Sequence, residues 1–160
     1  MPHTTRSTAV LALTGIIVLA LGIRTGVAAI SPLAPVMDLD VALEGLPLGI
    51  IGTIPPVAYA LAAWFSPWLA RTVGIETAAI AVAVLGALAH VWRGISPTYL
   101  SLFVATAVLM IAAGVGNVII PGLVKLYAPR AIGIVTAVYG TAMAISSSAP
   151  SFFGVIIADA

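Results

Sequence analysis

One arginine, one asparagine and a ladder of polar side chains carry most of the chemistry this sequence could perform. Arg24 stands near the middle of the apolar run 15–35, GIIVLALGIRTGVAAISPLAP. A guanidinium at the centre of a membrane helix costs about 2.5–3.5 kcal/mol on insertion scales. Long basic side chains near helix ends escape that cost by snorkelling to an interface. The mid-run position of Arg24 strains such an escape, and a protein-lined cavity, where the cation would meet an anion, suits it better. Asn117, within 114–125 (GVGNVIIPGLVK), brings two donors and one acceptor to membrane depth, where an unpaired amide is costly. It either bonds a neighbouring helix or lines a cavity. Thr136, Tyr139, Met143 and Ser147 recur at helical spacing as a semi-polar face. That face serves helix packing as readily as a cavity wall. Tyr59 could reach a cavity from another segment.

The composition sets these residues in an unusual background. The chain has 160 residues, 62% hydrophobic and only 7% charged, against about 25% charged residues in ordinary soluble domains. Such a chain exposes too little polar surface for water, and the class it implies is an all-α integral membrane protein. The absence of cysteine removes disulfides, Cys-ligated zinc and iron–sulfur clusters. His3 and His90 have no nearby carboxylate, so no metal motif forms and no cofactor is expected. Neither a catalytic Ser-His-Asp set nor a phosphate loop stands out, which argues against an enzyme, and nothing suggests nucleic-acid binding. No carboxylate is seen inside a span, with Asp38, Asp40 and Glu44 at outer ends.

Five hydrophobic segments must position the candidate residues: 8–37, 45–70, 75–92, 99–126 and 131–157. Residues 1–7 precede them as a short N-terminus and 158–160 follow. Each segment approaches or exceeds the roughly 20 residues that cross a hydrocarbon core. The loops are short, so consecutive helices should be antiparallel neighbours. Pro67 and Arg71 are expected to end the second helix. Pro55, Pro56 and Pro121 lie inside spans, where buried neighbours can satisfy the freed carbonyls and a kink is common. Gly22 and Gly26 bracket Arg24 in a small-xxx-small pattern that permits close helix approach, as do Gly114 and Gly116. Ser146, Ser147 and Ser148 can bond back to carbonyls of their own helix. Trp64 and Trp68, and His90 with Trp92, suit interfacial belts. The third segment, almost all Ala, Val, Ile and Leu, suits a lipid-facing position.

Orientation follows the loop cations. With the N-terminus inside, Arg6, Arg71, Lys125 and Arg130 fall on the cytoplasmic side and Arg93 alone outside. The expected location is a plasma (inner) membrane, multi-pass, with a cytoplasmic N-terminus. Five spans, with only a few residues after the last, point to a truncated product, a split gene or a fragment.

Three stretches resemble one family. Gly22-Ile23-Arg24, residues 116–125 (GNVIIPGLVK) and residues 133–143 (GIVTAVYGTAM) are similar to the cyanate and 2-nitroimidazole transporter family of the major facilitator superfamily. The resemblance runs from about 8 to 157. It implies a twelve-helix fold of which this chain is the N-terminal part, with helices one and four lining a central cavity. Arg24 and Asn117 would then face that cavity. The superfamily loop Gly-x-Leu-Ala-Asp-Arg-x-Gly-Arg-Lys is matched by 67–76 (PWLARTVGIE) only at Leu69, Ala70 and Gly74. The loop's acidic residue is missing, and so is the fourth-helix arginine of drug–proton antiporters.

The expectation is therefore a fragment of a secondary transporter for a small anion or weak acid, such as a cyanate-like or nitroimidazole-like solute. Arg24 pairs with the anion, assisted by Asn117 and Tyr139, and alternating access moves it. Carrying one negative charge inward against 100 mV costs about 2.3 kcal/mol, so import calls for an accompanying proton; export needs none. The expected partners are the lipid bilayer, the solute, a coupling proton and the missing C-terminal half. The alternatives are a truncated fragment that transports nothing, or a nitrate-type or drug-efflux member of the same superfamily.

Overall fold

A computed structural model describes residues 6–29 and 46–154. The continuation of the first span to 37, the acidic residues Asp38, Asp40 and Glu44, and the last residues from 155 lie outside these. The described chain forms five helices: α1 Arg6–Ala28, α2 Leu46–Val73, α3 Ile75–Gly94, α4 Tyr99–Tyr127 and α5 Ile132–Ala149. No strand occurs among the described residues. All five are long and apolar enough to cross a membrane, over Val10–Ala28, Gly49–Val73, Ile75–Gly94, Tyr99–Tyr127 and Ile132–Phe153. The expected all-α membrane fold with five spans is borne out.

The helix α4 is the axis of the bundle. It is apolar on every side, the pattern of a helix surrounded by others, and it packs against α1, α2 and α3. Its own Ala112, Ala113, Val115, Ile119, Ile120 and Val124 join Ile16, Ala20 and Ile23 of α1 and Ala62 of α2 in one buried cluster. A second cluster, toward the other end of the helix, gathers Leu102, Leu109 and Met110 with Ile51, Ile54 and Ala58 of α2 and Ala89 of α3. The helix α3 touches the bundle along one narrow stripe, Ala78, Val82 and Ala89, and leaves Ile80, Val84, Leu88 and Val91 exposed. Its smooth apolar sequence is matched by this peripheral place.

Lipid tails are as apolar as leucine, so close backbone approach rather than water exclusion holds such helices together. Small residues make that approach here. A Cβ placed on Gly114 would stand 2.6 Å from Cβ of Ala62 and 3.3 Å from Cα of Tyr59. One on Gly26 would meet Leu109 at 2.8 Å and His90 at 2.9 Å. At Gly22 nothing lies within 4 Å, so of the two glycines bracketing Arg24 only Gly26 serves close packing.

Two features depart from the expected helix ends. Pro67 does not stop α2, which runs through Pro55, Pro56 and Pro67 to Val73. The Ser66 hydroxyl, bonded to the carbonyl of Ala62, adds a hydrogen bond in the turn that Pro67 interrupts. Beyond α5 the chain widens into a π-helical turn, Pro150–Gly154, at a proline that has no N–H for the α-helical ladder.

The link between α2 and α3 is a single residue, Gly74, at φ 87° and ψ 147°. A side chain is strained in this region by about 1–3 kcal/mol, which accounts for glycine at this position of the family-like loop. Gly74→Ala, which has open space around its Cβ, is expected to lower stability by that amount through backbone strain alone. Unfolding in mixed detergent micelles measures it, and an unchanged midpoint would refute the assignment.

Candidate functional site

Neighbouring residues on each helix divide between holding the bundle and facing its recess. In an α-helix each step turns about 100°, so a residue in a helix–helix seam leaves the next one at the rim. On α1 and α4 the seam residues are Ile23 and Gly116: a Cβ on Gly116 would lie 2.5 Å from Cδ1 of Ile23. The next residues along, Arg24 and Asn117, line one recess together. On α1 and α5 the seam is polar. Ser146 donates to the carbonyl of Leu21 at 2.7 Å, Thr25 bonds the same carbonyl at 3.0 Å, and the two hydroxyls are 2.5 Å apart. Ser147, adjacent to Ser146, completes the recess with Gly140, Met143 and Ala144.

The recess measures about 360 Å³, within the range of small-molecule sites. Its polar groups are the Arg24 guanidinium, the Asn117 amide and the Ser147 hydroxyl; the last donates to the carbonyl of Met143 at 2.9 Å. Arg24 is exposed toward the recess and Asn117 is half-buried. Asn117 makes no side-chain hydrogen bond to another described residue. Arg24 has no carboxylate beside it among the described residues. The one carboxylate there, Glu76, lies in the first turn of α3. Glu76 corrects the expectation that no carboxylate stands within a span, but it accepts the Tyr127 hydroxyl proton beside Leu11 and Gly15, well below Arg24 along α1.

From the side of α2, Tyr59 enters between the helices. Its hydroxyl is buried and lies within reach of the Arg24 guanidinium, but Tyr59 is not among the residues lining the recess. A buried hydroxyl left unpaired costs about 1–3 kcal/mol, and Oγ1 of Thr106 on α4 is a second such group among the described residues. Tyr139, grouped with Arg24 from the sequence, is half-buried and packs against the cluster around Ile119 and Ile120. It stands one turn before Met143 on the same face of α5 and is not among the residues lining the recess. Pro121 lies inside α4, one turn from Asn117, without ending it.

Several polar contacts had no forewarning in the sequence. Arg93, counted as a loop charge, closes α3 and donates to the carbonyl of Gly26 at 2.8 Å. It thereby satisfies a carbonyl at the end of α1 just beyond Arg24. Ser146 bonds across to α1 rather than back along its own helix, whereas Ser147 and Ser148 bond back to Met143 and Ala144. An unbranched rule for serine in helices gives the second behaviour; only knowledge of which helix lies opposite gives the first.

Two curated proteins are similar to the chain. A transporter of Bacillus subtilis (strain 168), described as uncharacterized and named YycB, is 25% identical over 161 aligned positions, 98% of this chain and 39% of that protein. A 2-nitroimidazole transporter of Escherichia coli (strain K12) is 28% identical over 134 positions, 84% of this chain and 34% of that protein. The chain thus spans less than two fifths of the length of these curated relatives. No family model matches it, and no solved structure does. The resemblance to a transporter family is borne out by both relatives. With five helices able to cross a membrane among the described residues, the chain is a multi-pass membrane protein similar to part of two transporters.

Proposed function

We propose that the chain forms one wall of the central cavity of a secondary transporter and that Arg24 holds a small anion there. The observation that carries this reading is the shared recess of Arg24 and Asn117, two donor side chains from different helices with no carboxylate beside them among the described residues. A guanidinium is a donor at every nitrogen and stays charged at any working pH. An acceptor with negative charge is the group such a site lacks. Asn117 orients it, and Met143 with Ala144 gives it an apolar floor. Tyr139 supports the face of α5 on which that floor stands.

In this reading the solute is a small anion or the conjugate base of a weak acid, of the size of cyanate or a nitroimidazole. The second half of the cavity comes from helices beyond this chain, and no covalent chemistry is performed. The N-terminus faces the cytoplasm across a plasma membrane, consistent with four loop cations at one end and Arg93 at the other. Inward movement is coupled to a proton, which the solute itself carries when it is a weak acid.

A second reading is favoured by length. The relatives are more than twice as long as the stretch they share with this chain, and half a cavity inserts in a membrane without alternating. Accumulation of a labelled weak-acid anion in cells separates the two. It is measured with the reading frame as given and again with any in-frame sequence that follows it. Uptake only with the longer frame assigns this chain to a half-site; uptake with neither removes the transporter reading.

A further inference from the structure

Away from the recess, α1 and α3 leave a long apolar trough between them. Two adjoining hollows make it, of about 340 Å³ and about 330 Å³, and both are lined by Gly15, Leu19 and Ala83. Neither Arg24 nor Asn117 lines either of them. Glu76 and Tyr127 stand at one end and His90 at the other, its ring bonded to the carbonyl of Gly86 in its own helix. At 1.5 Å per helical residue, the run from Glu76 to His90 makes the trough about 21 Å long. We propose that it binds one membrane lipid with a primary ammonium headgroup, the tail lying between α1 and α3 and the ammonium resting on Glu76. The proposal stands apart from the anion site and does not need it.

Glycines open the trough. A Cβ on Gly15, Gly22 or Gly86 would meet nothing within 4 Å, so each wall is cut away where a side chain would fill the space. This is the reverse of Gly26 and Gly114, whose missing side chains let helices touch. Leu11, Val18 and Ile80 also line the trough and are exposed. It therefore opens sideways, toward the medium that the spans of α1 and α3 cross.

That medium decides the occupant of the deep part. The hydrocarbon core holds no water to fill an apolar hollow, and lipid tails are as apolar as the leucines around it. A tail alone would be ordinary solvation, and Glu76 makes the difference. It is the one acidic residue among the described residues. It lies in the first turn of α3, at the edge of the span, which is the level of lipid headgroups.

The chemistry at Glu76 is complementary to a donor cation. The phenol of Tyr127 donates to its Oε1, and no lysine or arginine lines the hollow with it. An ionised carboxylate has about four lone-pair sites and no proton to give, so acceptor capacity remains after Tyr127 is served. A primary ammonium brings three N–H donors. The quaternary ammonium of a choline lipid brings none, although the two headgroups carry the same net charge. The trough accepts either tail, and the carboxylate prefers ethanolamine to choline.

The test uses the 160-residue chain in phosphatidylcholine vesicles holding a trace of a lipid with a diazirine at its tail end and either an ethanolamine or a choline headgroup. Half of a roughly 30 Å hydrocarbon core corresponds to about ten helical residues, which sets the tail end beside Gly86 when the head rests on Glu76. After illumination, mass spectrometry of the peptides maps the label. The ethanolamine lipid should mark the stretch around Gly22 and Gly86 about fivefold more than the choline lipid, the upper end for an exposed ion pair. Glu76→Gln, which keeps an acceptor for Tyr127, should make the two lipids equal. Gly86→Leu should remove the label of both from this stretch, and circular dichroism checks that each variant is folded. Equal marking of the unaltered chain by the two lipids overturns the role of Glu76. Absence of label from the trough with either lipid refutes the site, as does its loss when in-frame sequence beyond the chain is included, which would assign the trough to a further helix.

Discussion

Arg24→Leu is expected to abolish solute movement by the complete transporter while membrane insertion proceeds at least as well as before. The two readouts should move in opposite directions, and that opposition is the substance of the prediction. Arg24 stands near the end of the described span Val10–Ala28, so removing it relieves an insertion penalty smaller than the about 2.5–3.5 kcal/mol of a helix centre. A purely structural arginine would be missed by both readouts, since its loss would leave a partner unpaired and the bundle loosened. Here no carboxylate stands near it among the described residues, so no buried charge is left unpaired when it goes. The transport side follows from the recess. Each charge-assisted hydrogen bond to a bound anion contributes about 1.5–3 kcal/mol, and a bidentate grip makes two. Loss of both lowers anion affinity by at least about a hundredfold, since 1.4 kcal/mol is tenfold. Arg24→Lys should retain a fraction of activity, because a point charge attracts the anion without the planar fork that orients it. Uptake by the leucine variant equal to the parent would take Arg24 out of the mechanism, whatever the insertion assay gave.

The parts of this arrangement legible in the sequence are those that one helix determines alone. An arginine within an apolar run announces itself through its cost. Asn117 does so by its polarity at the same depth, and the spacing of Met143 and Ser147 puts them on one face of α5. The structure then brings Arg24, Asn117, Met143 and Ser147 into one recess, which single-helix reasoning makes plausible but cannot locate. Contacts that need two helices at once were not legible. Ser146 reads as a serine that bonds back, and becomes the polar seam to Leu21 and Thr25 only because α5 lies against α1. Arg93 reads as a loop charge until the end of α1 is seen beside it. Gly22 and Gly26 are indistinguishable as a motif, yet one faces open space and the other faces His90 and Leu109. The underlying difficulty is that α4 is apolar on every side, so hydrophobic periodicity cannot say which of its faces meets which neighbour.

Gly114 and Gly116 supply the sharper test of that packing, because the same change at the two positions should have different outcomes. A methyl group on Gly114 meets the Cβ of Ala62 at 2.6 Å, the Cα of Tyr59 at 3.3 Å and the carbonyl oxygen of Ala58 at 3.4 Å. None of these atoms can turn aside, since one is fixed to the backbone by a single bond and the others belong to it. Relief requires α2 and α4 to separate. A methyl on Gly116 meets Cδ1 of Ile23 at 2.5 Å, Cγ1 of Ile23 at 3.3 Å and Cγ1 of Val82 at 3.4 Å, and the closest of these atoms is the free end of a side chain that can turn about its χ2. Gly114→Ala should therefore destabilise the bundle by about 1–3 kcal/mol, the range for overpacking a tight interior. Gly116→Ala should cost little, because alanine is favoured over glycine in a helix by about 1 kcal/mol and offsets the movement of Ile23. Detergent-induced unfolding gives the stabilities, and spin labels on the exposed faces of α2 and α4 give their separation. Equal tolerance of the two substitutions would mean that the close approach of α2 and α4 at Gly114 is not what holds these helices together.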